Sequence, residues 1–167
     1  MNRRIDRLVV LFALALAPPA FAETAKDRIR IVDFGLYETG PIHRVPDPEQ
    51  LGGQRFTAEG LRLLEQTDVI PGQLGRAFGL RFRVLDPSLV GKPLQLRLRH
   101  PRLTEPGGRS ADESGRRDTA WPMGESQAHL FAFDHTWEIA EGDWTLQIVH
   151  NGRVLAEKKF RVVVSMY

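Results

Sequence analysis

A chain of 167 residues suffices for one domain with a substantial core and is too short for two of ordinary size. At 42% hydrophobic and 26% charged with no Cys, its composition excludes a collagen-like, disulfide-stapled or disordered protein. The formal net charge of +2 comes from Arg3, Arg4 and Arg7 against Asp6; beyond residue 22 basic and acidic side chains are equal in number, so no basic excess points to nucleic acid.

Met1–Arg7 is short and basic, and Leu8–Ala17 is an unbroken apolar run that ends at Pro18-Pro19 and Ala20-Phe21-Ala22. This is the pattern of a secretory signal peptide over residues 1–22, cut after Ala22. The run falls short of the roughly 20 apolar residues of a spanning helix, and paired prolines would break one. The expectation is an exported domain over 23–167, periplasmic or secreted, with no membrane span.

Downstream the recurrent signal is alternation of period two, the mark of half-buried strands. Ile29, Ile31 and Phe34 open a strand over Arg28–Tyr37, and a short strand is expected over Leu61–Asp68. Thr67–Gly79 carries Pro71-Gly72, a turn signal, and Gly75 and Gly79, where a backbone bends or another group comes close. It reads as a crossing between sheets. Phe78, Leu80, Phe82 and Val84 alternate with Arg81 and Arg83, and Leu94, Leu96 and Leu98 with Arg97 and Arg99. Pro101–Gln127, rich in Gly, Ser, Pro and charge, reads as a long mobile loop, least ordered over Thr104–Thr119. Trp144, Leu146 and Ile148 form the inward side of a further strand, and Phe160 and Val162 that of the last. With no crossover helices the sheets should be antiparallel, and about seven strands fit an all-β, two-sheet sandwich.

Asn151-Gly152 between the last two runs is a strong hairpin signal. A two-residue loop would pair His150 with Arg153 and set Trp144 against Lys159. A three-residue loop, Asn151–Arg153 with a bulge at Gly152, sets Trp144 against Phe160 and Ile148 against Ala156. Burial favours that second register and the longer loop.

Asp33–Glu38 (DFGLYE), Glu65–Val84 (EQTDVIPGQLGRAFGLRFRV) and Phe131–Val162 resemble a family of secreted bacterial domains catalogued as domain of unknown function 3859. The most specific piece is T-x-x-I-P-x-x-L-G-x-x-F-G from Thr67 to Gly79. The resemblance implies an immunoglobulin-like β-sandwich in the cell envelope, and no catalytic residues.

Nucleophile and cofactor motifs are missing: Gly124-Glu125-Ser126-Gln127-Ala128 lacks the last glycine of a hydrolase elbow, and no phosphate-binding or zinc motif occurs. His129 and His135 lie near Asp134 and Glu138. On one extended strand the two imidazoles stand about 20 Å apart, too far to share an ion unless the chain turns. The plainer expectation is histidines bonded to backbone, with no metal and no cofactor. Trp144 and Trp137 read as core, whereas Trp121, in the polar segment before Pro122, is not explained by packing. Arginine dominates the basic residues beyond residue 22, 16 against 4 Lys. If their strands pair, Arg81, Arg83, Arg97 and Arg99 share one solvent face suited to phosphate or carboxylate. With Trp121 they are the candidate ligand-binding residues, for an anionic envelope polymer or an acidic protein partner. The function these residues favour is a non-catalytic binding or interaction module in the envelope. A hydrolase or metal-dependent enzyme acting on envelope material, and a subunit offering an edge strand to a partner, stay open beside it.

Overall fold

The computed structural model describes residues 28–48 and 50–164, so the expected signal peptide and its cut after Ala22 lie outside the described residues. Among the described residues eleven strands run in chain order: β1 (Ile29–Glu38), β2 (Ile42–Pro46), β3 (Gln54–Ala58), β4 (Arg62–Glu65), β5 (Val69–Pro71), β6 (Ala77–Val84), β7 (Pro93–Thr104), β8 (Ser110–Thr119), β9 (Gln127–Ala132), β10 (Gly142–His150) and β11 (Arg153–Val163). They form a four-stranded sheet ordered β4-β1-β6-β9, a five-stranded sheet ordered β5-β11-β10-β7-β8, and a separate β2-β3 hairpin. No helix among the described residues is long and apolar enough to cross a membrane.

Alternation places the core as the sequence reading expects. Phe78, Leu80, Phe82 and Val84 of β6 meet Leu94, Leu96 and Leu98 of β7 and Trp144, Leu146 and Ile148 of β10, all buried. Each large side chain so buried contributes about 1.5–3 kcal/mol. Trp144 is the hub: its ring lies 5.8 Å from Phe78, 5.1 Å from Phe131 and 5.7 Å from Phe133, and its indole N–H donates to the Ala140 carbonyl at 3.0 Å. Trp137 is half-buried and packs against this core.

The crossing read at Thr67–Gly79 is real. The chain leaves the four-stranded sheet after β4, adds β5 to the other sheet, and returns as β6. Gly79, at φ +153°, is needed there because a Cβ would run into the His129 carbonyl oxygen of β9. The short β5 pairs with β11 in parallel, the one departure from antiparallel pairing among the described strands.

Two expectations are corrected. The segment Pro101–Gln127 is no long loop: β7 runs on to Thr104, and Ser110–Thr119 is a complete edge strand whose ladder joins Pro93↔Thr119 through Thr104↔Ser110. Its inward positions carry Ser114 and Arg116 rather than apolar side chains, so no alternation marks it. The second correction concerns the last hairpin. The register is the expected one, with Trp144↔Phe160 and Ile148↔Ala156. The loop is shorter than expected: Asn151 (φ 49°) and Gly152 (φ 75°) form a two-residue turn with His150↔Arg153 paired. Leu155 is the extra residue, a bulge two positions into β11 that restores the burial register. Lys158, opposite Leu146, lays its ammonium 3.7 Å over the Phe34 ring and 3.6 Å from Asp68.

Candidate functional site

β8 and β9 are the edge strands on the same side of the two sheets, and they do not pair with each other. Between them opens a cleft of about 420 Å³, at the small end of the roughly 300–1,000 Å³ typical of small-molecule sites. Its floor is apolar, made by Leu96 and Leu98 of β7 and Phe131 of β9. The β2-β3 hairpin forms its roof, with Leu51 packed toward the core.

The roof is latched at its tip. Glu105 accepts the Gly52 N–H at 2.8 Å and a hydrogen bond from Arg109 Nε at 2.5 Å, while Arg109 Nη2 donates to the Gln50 carbonyl at 3.2 Å. Arg109 and the Gly52 N–H hold the Glu105 carboxyl below its ordinary range. Gln50 also donates its side-chain amide to the Gly115 carbonyl, closing part of the free β8 edge.

Three guanidiniums line the cleft: Arg44 and Arg55 from the roof, and Arg116 from β8. Arg44 lies 3.4 Å from Asp134 and Arg55 3.8 Å from Asp47. Arg116 donates to Asp118 at 3.3 Å and to the Ala128 carbonyl at 3.1 Å, a tie from one edge strand to the other. Burial pushes the Arg116 guanidinium down from its ordinary range; Asp118 opposes that and Arg55 adds to it.

The histidine and carboxylate group of the sequence reading does meet here, since His129, Asp134, His135 and Glu138 all line this cleft. They are not placed as metal ligands; no group of three or more His, Asp or Glu among the described residues is. Each is held otherwise. His129, buried, donates Nε2–H to the Arg97 carbonyl at 3.0 Å; burial pushes its pKa down to about 4, the bond to Arg97 opposes this, and Arg116 reinforces it. Glu138 takes the backbone N–H groups of Asp134 and His135, both at 2.7 Å, and caps the 3-10 turn Thr136–Glu138. Burial raises its pKa against those bonds. His135 stacks on Trp137, ring centroids 5.6 Å apart.

Residues 25–162 match the family described as Domain of unknown function (DUF3859). The chain belongs to that family. An immunoglobulin-like protein from Pseudomonas aeruginosa, solved by crystallography, is 24% identical with a TM-score of 0.60, over 83% of this chain and 99% of that one. At that identity the likeness is one of fold. No curated protein matches the chain.

In this DUF3859 domain the shared arginine face of the sequence reading does not exist. β6 and β7 belong to different sheets, so Arg81 and Arg83 point from one outer face and Arg97 and Arg99 from the other. The strands alternate as expected, but consecutive runs in a sandwich can cross between sheets, and the chain does so here. Arg81 is bound to Asp33, which also accepts the Tyr37 hydroxyl at 2.5 Å. Burial raises the Asp33 pKa, yet the bonds from Arg81 and Tyr37 outweigh it and hold it below the ordinary range. Arg83 donates to Ser126 at 2.8 Å, Arg97 to Gln147 at 2.8 Å, and Arg99 lies 3.8 Å from Glu113. Trp121 is exposed, as its setting implied, and lies outside the cleft lining. The cleft's own arginines, Arg44, Arg55 and Arg116, escaped the sequence reading. Arg116 sits in the segment read as loop, and no periodic pattern marks Arg44 or Arg55.

Proposed function

We propose that this DUF3859 domain is a non-catalytic binding module of the cell envelope, exported by its N-terminal segment, that captures a small molecule in the cleft between β8 and β9. One observation carries the reading: a roofed cleft of about 420 Å³ opens between the edge strands β8 and β9, with polar residues of β8 inward, over an apolar floor of Leu96, Leu98 and Phe131. Apolar floors with a few placed charges are what small-ligand sites use. The titratable groups in the cleft are engaged in structural bonds, with His129 on a carbonyl and Glu138 on two N–H groups, which favours binding over acid–base chemistry.

Native mass spectrometry on protein recovered from the envelope fraction tests this. A bound small molecule is expected, and Ser114→Trp, which fills the cleft opposite Leu98, is expected to lose it while the thermal midpoint holds. Protein that carries no adduct, and whose midpoint no small molecule raises, would refute the reading.

A further inference from the structure

The cleft has two chemically different ends, and strand register places them. On the β7–β8 ladder Arg116 stands directly across from Leu96, and Ser114 directly across from Leu98. Moving two residues along the strands, about 7 Å, therefore passes from a guanidinium row to an uncharged one. Phe131 of β9 faces that second row from the opposite sheet and continues into the Trp144 ring at 5.1 Å.

Charge follows the same axis. At the other end of the lining Arg44 is matched by Asp134 at 3.4 Å, and Glu138 is occupied by two N–H groups. Around Arg116, Asp118 at 3.3 Å favours the cation, and Arg55, which lines the same cleft, is a like charge that disfavours it. The carboxylates that partner this pair, Asp118 and Asp47, are outside the cleft lining. Arg116 is partly buried and Arg55 is exposed at the roof; burial and the like charge of Arg55 both disfavour the Arg116 cation, and an anion between the two guanidiniums offsets that cost.

Resting on the cleft reading above, we propose that the ligand is a single-tailed amphipathic anion: a carboxylate, sulfate or phosphate head between Arg55 and Arg116, and an alkyl or aryl body lying over Leu96, Leu98 and Phe131. The roof fits a ligand taken from solution better than a lipid held in a bilayer, because the latched tip at Glu105 and Arg109 covers the cleft.

Calorimetric titration of the protein with octanoate, octyl sulfate, octylamine and octanol separates head from tail. The two anions are expected to bind at least tenfold tighter than the amine or the alcohol, and less tightly as salt rises. From butanoate to octanoate affinity is expected to rise about threefold per methylene while floor remains to be covered. Arg55→Gln, on the β2–β3 roof hairpin and outside the two main sheets, should cost the anions about tenfold and leave octanol unchanged; Arg116→Lys, which keeps the charge and loses the fork, should fall between. Equal binding of octanol and octanoate overturns the anion assignment while leaving a small-molecule cleft standing. Failure of all four compounds, with Ser114→Trp equally inert, overturns both. Cosedimentation with phosphatidylglycerol vesicles without octanoate binding overturns the single-tailed ligand in favour of a membrane surface.

Discussion

Acid is expected to unfold this domain earlier than its carboxylates alone require, and His129 is the reason. The imidazole is buried between the sheets, its Nε2–H on the Arg97 carbonyl at 3.0 Å, with the Arg116 guanidinium beside it. In the folded protein its pKa is pushed down to about 4 from the 6.5 of an exposed imidazole, and the unfolded chain regains that higher value. Between those two values the unfolded state binds more protons than the folded one, so stability is full above 6.5 and falls as pH drops toward 4. At about 1.4 kcal/mol per pH unit the loss approaches about 3 kcal/mol, a large share of a typical domain's stability. Urea midpoints of the wild type and His129→Gln, at about pH 7 and about pH 4.5, read it directly. The glutamine keeps an amide donor for the Arg97 carbonyl and does not titrate in this range. His100, lowered chiefly by burial, and all the carboxylates are common to both proteins and cancel in the difference. The wild type should lose about 2–3 kcal/mol more than the variant over that interval. Equal losses would show that His129 is not held neutral by its burial, and the reasoning would fail.

Gly79→Ala is expected to cost about 3 kcal/mol and to strip amide protection from β6 and β9 in hydrogen exchange, because the new methyl meets the His129 carbonyl. Asp33→Asn should lower the urea midpoint by the equivalent of about 2 kcal/mol, since it leaves the half-buried Arg81 and the buried Tyr37 short of their acceptor. Glu105→Gln should speed amide exchange at Gly52 and shift the thermal midpoint little, since it loosens the roof tip rather than a sheet. Deleting Leu155 should leave Trp144 across from Phe160, visible as cross-strand proton contacts, and cost about 2 kcal/mol for one buried leucine.

Where burial alternates, the sequence is legible to the residue. Leu94, Leu96 and Leu98, or Trp144, Leu146 and Ile148, face the core because a slip of one position would turn every one of them to water. The last hairpin shows where such logic stops. Burial demanded Trp144 against Phe160, and Asn151-Gly152 demanded a two-residue turn; taken together they look incompatible. The fold meets both demands by spending Leu155 on a bulge, and a bulge leaves no composition signal when the extra residue is itself apolar. Pairing across sheets is equally silent. Arg83 is only ten residues before Pro93 and the start of β7, yet the 3-10 turn Pro87–Leu89 carries the chain to the other sheet, so proximity in sequence misplaces the arginines on one face.

The strand that the sequence hides and the cleft that it hides are one fact. An edge strand with leucine or valine at the positions of Ser114 and Arg116 would announce itself by alternation, and it would also bring β8 and β9 together over Leu96, Leu98 and Phe131 and extend the core to the rim. With a hydroxyl and a guanidinium there instead, side-chain bonds tie the two edges, Arg116 to the Ala128 carbonyl and the Gln127 amide to the Thr119 carbonyl, and the floor between them stays open beneath a hairpin that neither sheet incorporates. Sequence rules of burial break down at positions given over to something other than packing. On that ground the polar run Ser110–Thr119, rather than the arginine-rich alternating strands, is where substitutions should separate binding from stability. Arg116 and Ser114 ought to tolerate exchange in folding assays far better than Leu96 and Leu98, and an equal cost at all four would mean that β8 is merely an irregular piece of core.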